Sequence, residues 1–472
     1  MTRETFKWKP HENLSTDARH WGGVARSSEE AAVMAVERRG YVRQSCLHPT
    51  GETQEEMGMK AKPFDIPKQQ VMQAYRLVRA NAGAAGVDHQ SLGAFEEDLR
   101  NNLYRLWNRM SSGSYFPPPV KEVTIPKRSG GERVLGIPTV TDRIAQAVVK
   151  LQIEPDIEPR FLEDSYGYRP GKSALDAVGI TRKRCWKYDW ILEFDIRGLF
   201  DNIPHDLLNR ALLKHVTCKW ALLYIERWLR APIQQPDGSL VDRDRGTPQG
   251  GVISPLLSNL FMHYVFDAWM KRHFSTVPWC RYADDGLLHC RTRQQARNLR
   301  AALEERLREC GLELHPQKTK IVYCKDTNRR AACANTAFDF LGYTFRRRPV
   351  KNAAGELFLS FSPAVSKDAL KSMRRLIRRS NLRNRVHRSI EDIARDFNPV
   401  LQGWITYYGR FNRSALYPFL RYFNHALRDW VMNKYRRFRR KKTRAGQYLQ
   451  RIAQQRPGLF AHWRYGMTGV FA

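Results

Sequence analysis

The chain has 472 residues and is strongly basic, with 80 Lys and Arg against 47 Asp and Glu, for a formal net charge of +33. This length, with 42% hydrophobic residues, allows several domains with buried cores and argues against a wholly disordered basic protein. No apolar run approaches the roughly 18–20 residues of a membrane span, and the N-terminus has no apolar segment typical of a secretory signal. A charge of this sign and size predicts a polyanionic partner, with nucleic acid first.

The eight cysteines are scattered along the chain, and none forms a C-x-x-C pair. This spacing argues against a zinc-ribbon site and favours reduced thiols that pack as small hydrophobic side chains.

In chain order, the first sixty residues have no net charge and little periodicity, which indicates a partly ordered extension. A helical pattern begins near Ile66 and runs into a Gly- and Ala-rich turn at 81–88. Apolar residues from Leu92 to Trp107, spaced by three and four, predict one amphipathic helix that ends before three prolines. Helices and short β-branched runs then alternate to about residue 350, and after Pro363 the pattern is helical almost throughout.

The basic residues are concentrated in the last quarter of the chain. Residues 361–472 contain 25 Lys and Arg and five Asp and Glu, a net charge of +20. Within them, the stretch 434–444 has eight basic residues in eleven and no acid. A solvated helix face usually mixes both signs, so phosphate binding is the expectation here.

Two short segments carry the acids that indicate chemistry. In 278–290 (PWCRYADDGLLHC), apolar runs flank Asp284 and Asp285, which predicts a β-hairpin with acids at its tip. For this turn alone, solvated acids are the alternative. In 190–203 (WILEFDIRGLFDNI), a buried strand ends at Asp195. Acids that close neighbouring apolar strands need a cation, and hard oxygen ligands select Mg²⁺ over zinc. A two-metal site for phosphoryl transfer follows, and the cluster alone does not separate polymerase from nuclease.

The hairpin 282–285 (YADD), together with Asp195 and the aromatic Phe200 five residues later, resembles the palm of a reverse transcriptase. The block 246–259 (GTPQGGVISPLLSN) is similar to the segment between these palm motifs in group II intron-encoded proteins. Four further segments occur in that family's order: SYGYRPG at 165–171, LHPQKTK at 314–320, FLGY at 340–343 and the maturase-like GWITYYG at 403–409. The resemblance covers residues 65 to 465.

The resemblance implies an α/β right-hand polymerase, with the fingers and palm of a reverse transcriptase, followed by an all-α thumb/maturase domain and a basic C-terminal segment. The expected domains are an N-terminal extension (1–62), fingers (63–180), palm (181–362), a three-helix thumb/maturase domain (363–432) and a DNA- or RNA-binding segment (433–472).

The resemblance also implies the roles of individual residues. The catalytic residues are Asp195, Asp284 and Asp285, and the ligands of Mg²⁺ are Asp195, Ile196 and Asp284. Phe200 lies under the sugar of the incoming nucleotide and selects dNTPs. The remaining nucleotide-binding residues are Gln249 and the finger cations Lys127 and Arg133, for which a plain solvated hairpin is the alternative.

Nucleic-acid contacts are expected from eight basic residues: Arg169, Lys318, Arg374, Arg378, Lys434, Arg437, Arg440 and Lys441. The closing segment 450–465 resembles the end of the shorter, endonuclease-free family members and is expected to contact DNA or RNA. The alternative is that it packs against the thumb through its apolar residues Leu459, Phe460 and Trp463. Trp404 is expected in the core, and one of Tyr407 and Tyr408 at RNA. The segment 167–173 has three residues between its glycines where a Walker loop has four, so we reject an ATP site there.

The leading hypothesis is an intron-encoded reverse transcriptase without an endonuclease, which also binds its intron RNA and assists splicing. Its implied partners are group II intron RNA, an RNA template with a DNA primer, and target DNA, in a cytoplasmic, nucleoid-associated setting in a bacterium. Two alternatives remain: a maturase with a vestigial polymerase, and a freestanding bacterial reverse transcriptase used in repair or phage defence.

Overall fold

The structure is a computed structural model that describes residues 62–126, 132–351 and 354–468. The expected N-terminal extension therefore lies outside the described residues except for its last one, and Lys127 lies outside them as well.

Three helices open the described chain: α1 (Lys68–Asn81), α2 (Leu92–Glu97) and α3 (Leu99–Ser111). The prediction of one continuous helix from Leu92 to Trp107 is wrong, because the backbone leaves the helical conformation at Asp98 (φ −126°, ψ 48°). The side-chain amide of Asn102 donates to the Phe95 carbonyl at 3.0 Å, so this carbonyl beside the break has a partner.

The first sheet begins with a long antiparallel hairpin and adds two short strands from later in the chain. Its strands are β1 (Val120–Pro126), β2 (Glu132–Ile137), β4 (Ile233–Gln234) and β5 (Leu240–Val241), in the order β2-β1-β4-β5. Between the two hairpins lie a largely buried helix, α4 (Val140–Ile157), and α5 (Ala174–Cys185). The N-terminus of α5 has a capping box, in which Ser173 and Asp176 each satisfy the other's main-chain N–H.

The second sheet has four antiparallel strands in the order β6-β7-β3-β8: β3 (Trp190–Asp195), β6 (Trp279–Tyr282), β7 (Asp285–Cys290) and β8 (Lys320–Tyr323). The buried strand predicted to end at Asp195 and the predicted hairpin are both confirmed. The helices around this sheet are α6 (Leu199–Asn202), α7 (His205–Leu213), α8 (Lys219–Arg230), α9 (Ser254–Met262), α10 (Ala268–His273) and α11 (Arg293–Glu309). A π-helical turn, His263–Asp267, joins α9 to α10.

A third sheet precedes the C-terminal helices. It contains β9 (Ala337–Phe340), β10 (Tyr343–Lys351) and β11 (Leu357–Val365), in the order β11-β10-β9. The three helices expected in the thumb/maturase domain (363–432) are present as α12 (Lys367–Arg379), α13 (Ile390–Tyr408) and α14 (Tyr417–Lys434), the last of which extends two residues beyond the expected range. A further helix, α15 (Lys442–Gln455), follows.

Two hydrophobic cores lie on opposite faces of the second sheet. Because strand side chains alternate between faces, Leu192 of β3 belongs to the first core and Ile191 to the second. The first core includes α1, α4 and α11, and the second includes α5, the third sheet and the C-terminal helices. Within the described ranges, no helix combines the length and apolar composition needed to cross a lipid bilayer.

Candidate active site

The three aspartates of the predicted cluster lie together at one end of the second sheet. The register of β3 and β7 places Asp195 directly opposite Asp285, and Asp284 lies in the turn that precedes β7. Side chains opposite each other in an antiparallel pair have Cβ atoms about 4.5–5.5 Å apart. The turn itself has Ala283 at φ +56°, a left-handed conformation that non-glycine residues rarely adopt and that is strained.

The charges of these carboxylates oppose one another. Burial, with the charge of Asp195, raises the pKa of Asp284, and burial, with the charges of Asp284 and Asp195, raises the pKa of Asp285 well above its ordinary value. Lys318 partly offsets both shifts, and its Nζ lies 2.5 Å from Asp195 Oδ2. The cluster therefore favours the approach of further positive charge.

The donor chemistry of this cluster fits a hard divalent cation, which takes carboxylate and carbonyl oxygens. Among the described residues, no three His, Cys, Asp or Glu side chains are already arranged to hold a metal ion, and Asp195 is engaged by Lys318 instead. Ile196 pairs with Leu314 in an isolated antiparallel bridge, and its side chain is buried and has no ligand atom. A metal contact by Ile196 would therefore use its main-chain carbonyl.

The loop that contains Gln249 packs against the turn of α6. The Phe200 carbonyl accepts a hydrogen bond from Thr247 N at 2.7 Å, and a Cβ at Gly246 would lie 2.7 Å from this carbonyl oxygen, so only glycine fits. Gln249 Nε2 donates to the two carboxylate oxygens of Asp201 at 3.2 and 3.0 Å. Sequence reasoning missed Asp201, although an acid directly after Phe200 was a usable signal.

The finger hairpin supplies a cation near the cluster. Arg133 lies on β2 opposite Ile125, and its charge lowers the pKa of Asp284. Its expected partner Lys127 lies outside the described residues, so the structure gives no position for that ammonium.

A buried arginine that the sequence analysis missed supports the turn that contains Ala283 and Asp284. The guanidinium of Arg281, fully buried in β6, forms an ion pair with Asp267 of the π-helical turn, with Nε–Oδ1 at 2.8 Å and Nη2–Oδ2 at 2.7 Å. It also donates to Asn259 Oδ1 and the Ala283 carbonyl, both at 3.1 Å, and to Ser165 Oγ at 2.8 Å. Arg281 therefore links the strained turn to three other segments. The available signal was a basic residue within an otherwise apolar strand.

The segment 167–173 also approaches this turn. A Cβ at Gly167 would lie 2.5 Å from Ala283 N, so the two backbones approach at a distance that only glycine permits. The structure gives no support to the expectation that Arg169 binds nucleic acid, which stays a prediction. Its guanidinium is bonded internally, to Glu158 at 2.9 Å and to the carbonyls of Leu162 and Ser165, which leaves 7% of the side chain exposed.

The ammonium groups of Lys318 and Lys434, which were expected to contact nucleic acid, have partners within the protein. Lys318 Nζ pairs with Asp195 of the aspartate cluster. Lys434 Nζ donates to the carbonyls of Val386 and Arg388 at 2.8 and 2.7 Å, near the end of α14. Both ammonium groups have internal oxygen partners, so neither is a free phosphate contact in this structure.

The remaining predicted nucleic-acid contacts lie at the surface of the C-terminal region. Arg378 is exposed on α12, where Arg374 is half-buried. Arg437 is exposed and lies over the ring of Phe438 at 4.7 Å from its centroid, and Arg440 and Lys441 are exposed as well. Contact of these side chains with RNA or DNA stays a prediction.

The closing segment belongs to the second core. Phe460, His462 and Trp463 are each at most 1% exposed. Asn424 Oδ1 on α14 accepts from Trp463 Nε1 at 3.2 Å and lies 2.6 Å from His462 Nε2. These three side chains complete a buried aromatic core, which favours the packing alternative for them, while contact of the rest of 450–465 with nucleic acid stays a prediction.

Two expectations for the maturase-like segment have different outcomes. Trp404 lies in the core, as predicted. The expectation that Tyr407 or Tyr408 reaches RNA has no support, since Tyr408 is buried and the Tyr407 hydroxyl donates to the Leu341 carbonyl at 2.9 Å.

Two family models match this chain. "Reverse transcriptase (RNA-dependent DNA polymerase)" matches residues 125–345, and "Group II intron, maturase-specific domain" matches residues 370–448. Together the two models span more than half of the chain.

Several curated proteins are similar to this chain. Protein YkfC of Escherichia coli K12 is 31% identical over 323 residues, which cover 58% of this chain and 80% of that protein. The group II intron-encoded protein LtrA of Lactococcus lactis is 34% identical over 194 residues, which cover 40% of this chain and 32% of LtrA. A putative COX1/OXI3 intron 1 protein of Saccharomyces cerevisiae is 25% identical over 337 residues, or 60% of this chain and 39% of that protein. The chain thus matches about a third of the length of these two intron-encoded relatives. With both family models in the expected order, it belongs to the family of reverse transcriptases and maturases encoded by group II introns.

Proposed function

We propose that this RNA-directed DNA polymerase adds dNTPs to the 3′-hydroxyl of a DNA primer with Mg²⁺ bound at Asp195, Asp284 and the Ile196 carbonyl. The observation that carries this proposal is the β3–β7 register, which pairs Asp195 with Asp285 and sets Asp284 in the adjoining turn.

Mg²⁺ at this cluster would activate the primer hydroxyl and neutralise the charge that develops on the transferred phosphoryl group. The chain's own residues hold the cluster in place. Asp195 and Asp285 are fixed by two paired strands, and Arg281 holds the turn that carries Asp284. Lys318 balances the charge of Asp195 in the free protein.

Residues around the cluster would select and align the nucleotide. Phe200, at the turn of α6, would lie against the sugar and exclude a 2′-hydroxyl. Gln249 is held by Asp201 beside Phe200, which supports its role in contacting the nucleotide. Arg133 already lowers the pKa of Asp284 through its charge, so a triphosphate between them would meet a cation, with Lys127 as the second.

The template and target would be held by the basic C-terminal region. Its net charge of +20 over 361–472, with the maturase-specific match at 370–448, supports binding of the parent intron RNA to assist splicing. Target DNA for retrohoming is the further partner we propose. A freestanding reverse transcriptase is less well supported, because the maturase match and the intron-encoded relatives both point to an intron partner.

Primer extension on an RNA template tests the polymerase assignment. Asp284→Asn should reduce Mg²⁺-dependent cDNA synthesis by about 10³-fold or more, because loss of one metal ligand removes several kcal/mol of transition-state stabilisation. Asp244→Asn is the matched control, since Asp244 is an 85%-exposed acid beside Arg245. Binding of intron RNA should be unchanged in both variants. Near-normal synthesis by Asp284→Asn would contradict the assignment.

A splicing assay separates the intron-encoded function from the alternatives. The protein should promote splicing of the RNA that flanks its own reading frame, and Asp284→Asn should retain this property. Primer extension without any effect on that RNA would favour a freestanding reverse transcriptase, and splicing without primer extension would favour a vestigial polymerase.

A further inference from the structure

A buried polar chain runs from the interior of α4 toward the loop that contains Gln249. Asp142 and Gln146, one helical turn apart on α4, are each 1% exposed. Asp142 Oδ1 accepts from the Tyr115 hydroxyl at 2.8 Å and from Trp228 Nε1 at 2.6 Å. Asp142 Oδ2 accepts from Gln146 Nε2 at 2.9 Å. One carboxylate oxygen therefore accepts from Tyr115 and Trp228, and the other accepts from Gln146.

Gln146 extends this chain to the loop. Its Oε1 accepts from Val252 N at 2.7 Å and lies 3.4 Å from Ile253 N. Val252 directly follows Gly251, and a Cβ at Gly251 would lie 3.1 Å from the same Oε1. The loop therefore packs directly against the Gln146 side chain, and a side chain at position 251 would crowd this contact.

The donors and acceptors permit one orientation of this amide. An ionised carboxylate only accepts hydrogen bonds and a main-chain N–H only donates, so Gln146 must direct Nε2 to Asp142 and Oε1 to Val252. A reversed amide would place a donor against Val252 N and an acceptor against the carboxylate. Asp142 thus determines that the amide oxygen of Gln146, and not its NH₂ group, faces the loop.

On this geometry we propose that Asp142 and Gln146 are positioning residues, which fix the loop 248–251 and hence Gln249 for the incoming nucleotide. The proposal rests on the proposed function in one respect, the contact between Gln249 and the nucleotide. Neither residue touches the reacting atoms.

Asp142→Asn tests the polarity directly. The Asn oxygen can still accept from Tyr115 and Trp228, while the new NH₂ group opposes Gln146 Nε2. Gln146 must then either reverse its amide, which removes the acceptor from Val252 N, or keep its orientation and lose the hydrogen bond that anchors its Nε2 to residue 142. We expect the KM for dNTPs to rise about tenfold, with more misincorporation and a smaller change in kcat, because one buried hydrogen bond is broken.

The double variant Asp142→Asn/Gln146→Glu restores the pattern. The Asn NH₂ group donates to one Glu oxygen, and the other Glu oxygen accepts from Val252 N. Its KM should return to within about threefold of the wild-type value. Tyr115→Phe is the control for general destabilisation: it removes one donor to Asp142, should lower the thermal midpoint, and should leave the KM for dNTPs unchanged.

The possible outcomes separate this proposal from the proposed function. Loss of dNTP affinity in Gln249→Ala but not in folded Asp142→Asn would overturn the positioning role, as would a folded double variant that keeps the high KM. An unchanged KM in Gln249→Ala would instead overturn the nucleotide contact. If Asp142→Asn does not fold, Gln146→Met removes the same acceptor and leaves Asp142 two donors. A normal KM in that variant would refute the proposal.

Discussion

Replacement of Arg281 by methionine tests how far this residue contributes to the stability of the molecule and how far to the geometry of the Ala283–Asp284 turn. The substitution leaves the Asp267 carboxylate, 0% exposed, without its ion-pair partner. Removing one partner of a buried ion pair costs about 3–5 kcal/mol, and the carbonyl of Ala283 loses a donor as well. We therefore expect the free energy of unfolding to fall by about 3–5 kcal/mol, as measured by urea denaturation.

A second variant distinguishes the two effects. Arg281→Met/Asp267→Asn removes the uncompensated charge, so most of the lost stability should return. Primer extension should be low in both variants, because the Ala283 carbonyl has lost its hydrogen bond from Arg281 in each of them. A loss below about 1 kcal/mol in the single variant would refute the ion-pair reasoning. Full recovery of cDNA synthesis in the double variant would show that the turn holds its shape without Arg281.

Three further predictions concern sugar selection, pH and salt. Phe200→Ala should raise the incorporation of ribonucleotides relative to dNTPs in competition assays, and an unchanged ratio would exclude Phe200 as the residue that contacts the sugar. Burial raises the pKa of Asp142 from 3.8 to about 6, so the folded state binds the extra proton between these values and stability should fall by about 3 kcal/mol as the pH rises from about 4 to 6. Asp142→Asn should flatten that part of the stability curve, and an equal slope in both proteins would contradict the assignment. Replacement of Arg437, Arg440 and Lys441 by Gln should make the log–log salt dependence of RNA binding shallower by about two, with unchanged thermal stability, whereas an unchanged slope would exclude these residues as phosphate contacts.

The aspartates that we propose as catalytic could be located from the sequence because of a local conflict between charge and burial. An acid at the end of an apolar strand needs a cation. Asp195 is the last residue of β3, and Asp285 is the first residue of β7, at the same edge of the sheet. The strand β3 and the β6–β7 hairpin could be predicted from the alternation of neighbouring residues alone. The position of Asp201 directly after Phe200 was a local signal, but its partner Gln249 lies 48 residues later and only the fold connects the two.

The internal partners of Arg169, Lys434 and Arg281 could not be predicted because they come from other elements of the fold. A basic side chain such as Arg169 has the same sequence signature whether it binds a phosphate or internal carbonyls, and only the fold supplies the carbonyls. Lys434 was assigned to a phosphate-binding run for the same reason, while its acceptors belong to residues 46 and 48 positions earlier. The ion pair of Arg281 could not be predicted because its partner Asp267 lies on a π-helical turn, and hydrophobic periodicity does not indicate such a turn.

The closing segment joins its partners late during synthesis of the chain. Ala461 and His462 contact Asn398 and Asn424, which precede them by 63 and 38 residues. The first core, whose last buried member is Leu312, needs none of these residues. Until residues 460–463 have been synthesised, Asn424 and the aromatic rings around it remain uncovered and accessible to chaperones and proteases. A ribosome halted after α14 should therefore hold a folded first core beside an unfinished helical domain, and limited proteolysis of such a nascent chain should cut in α13 and α14 first.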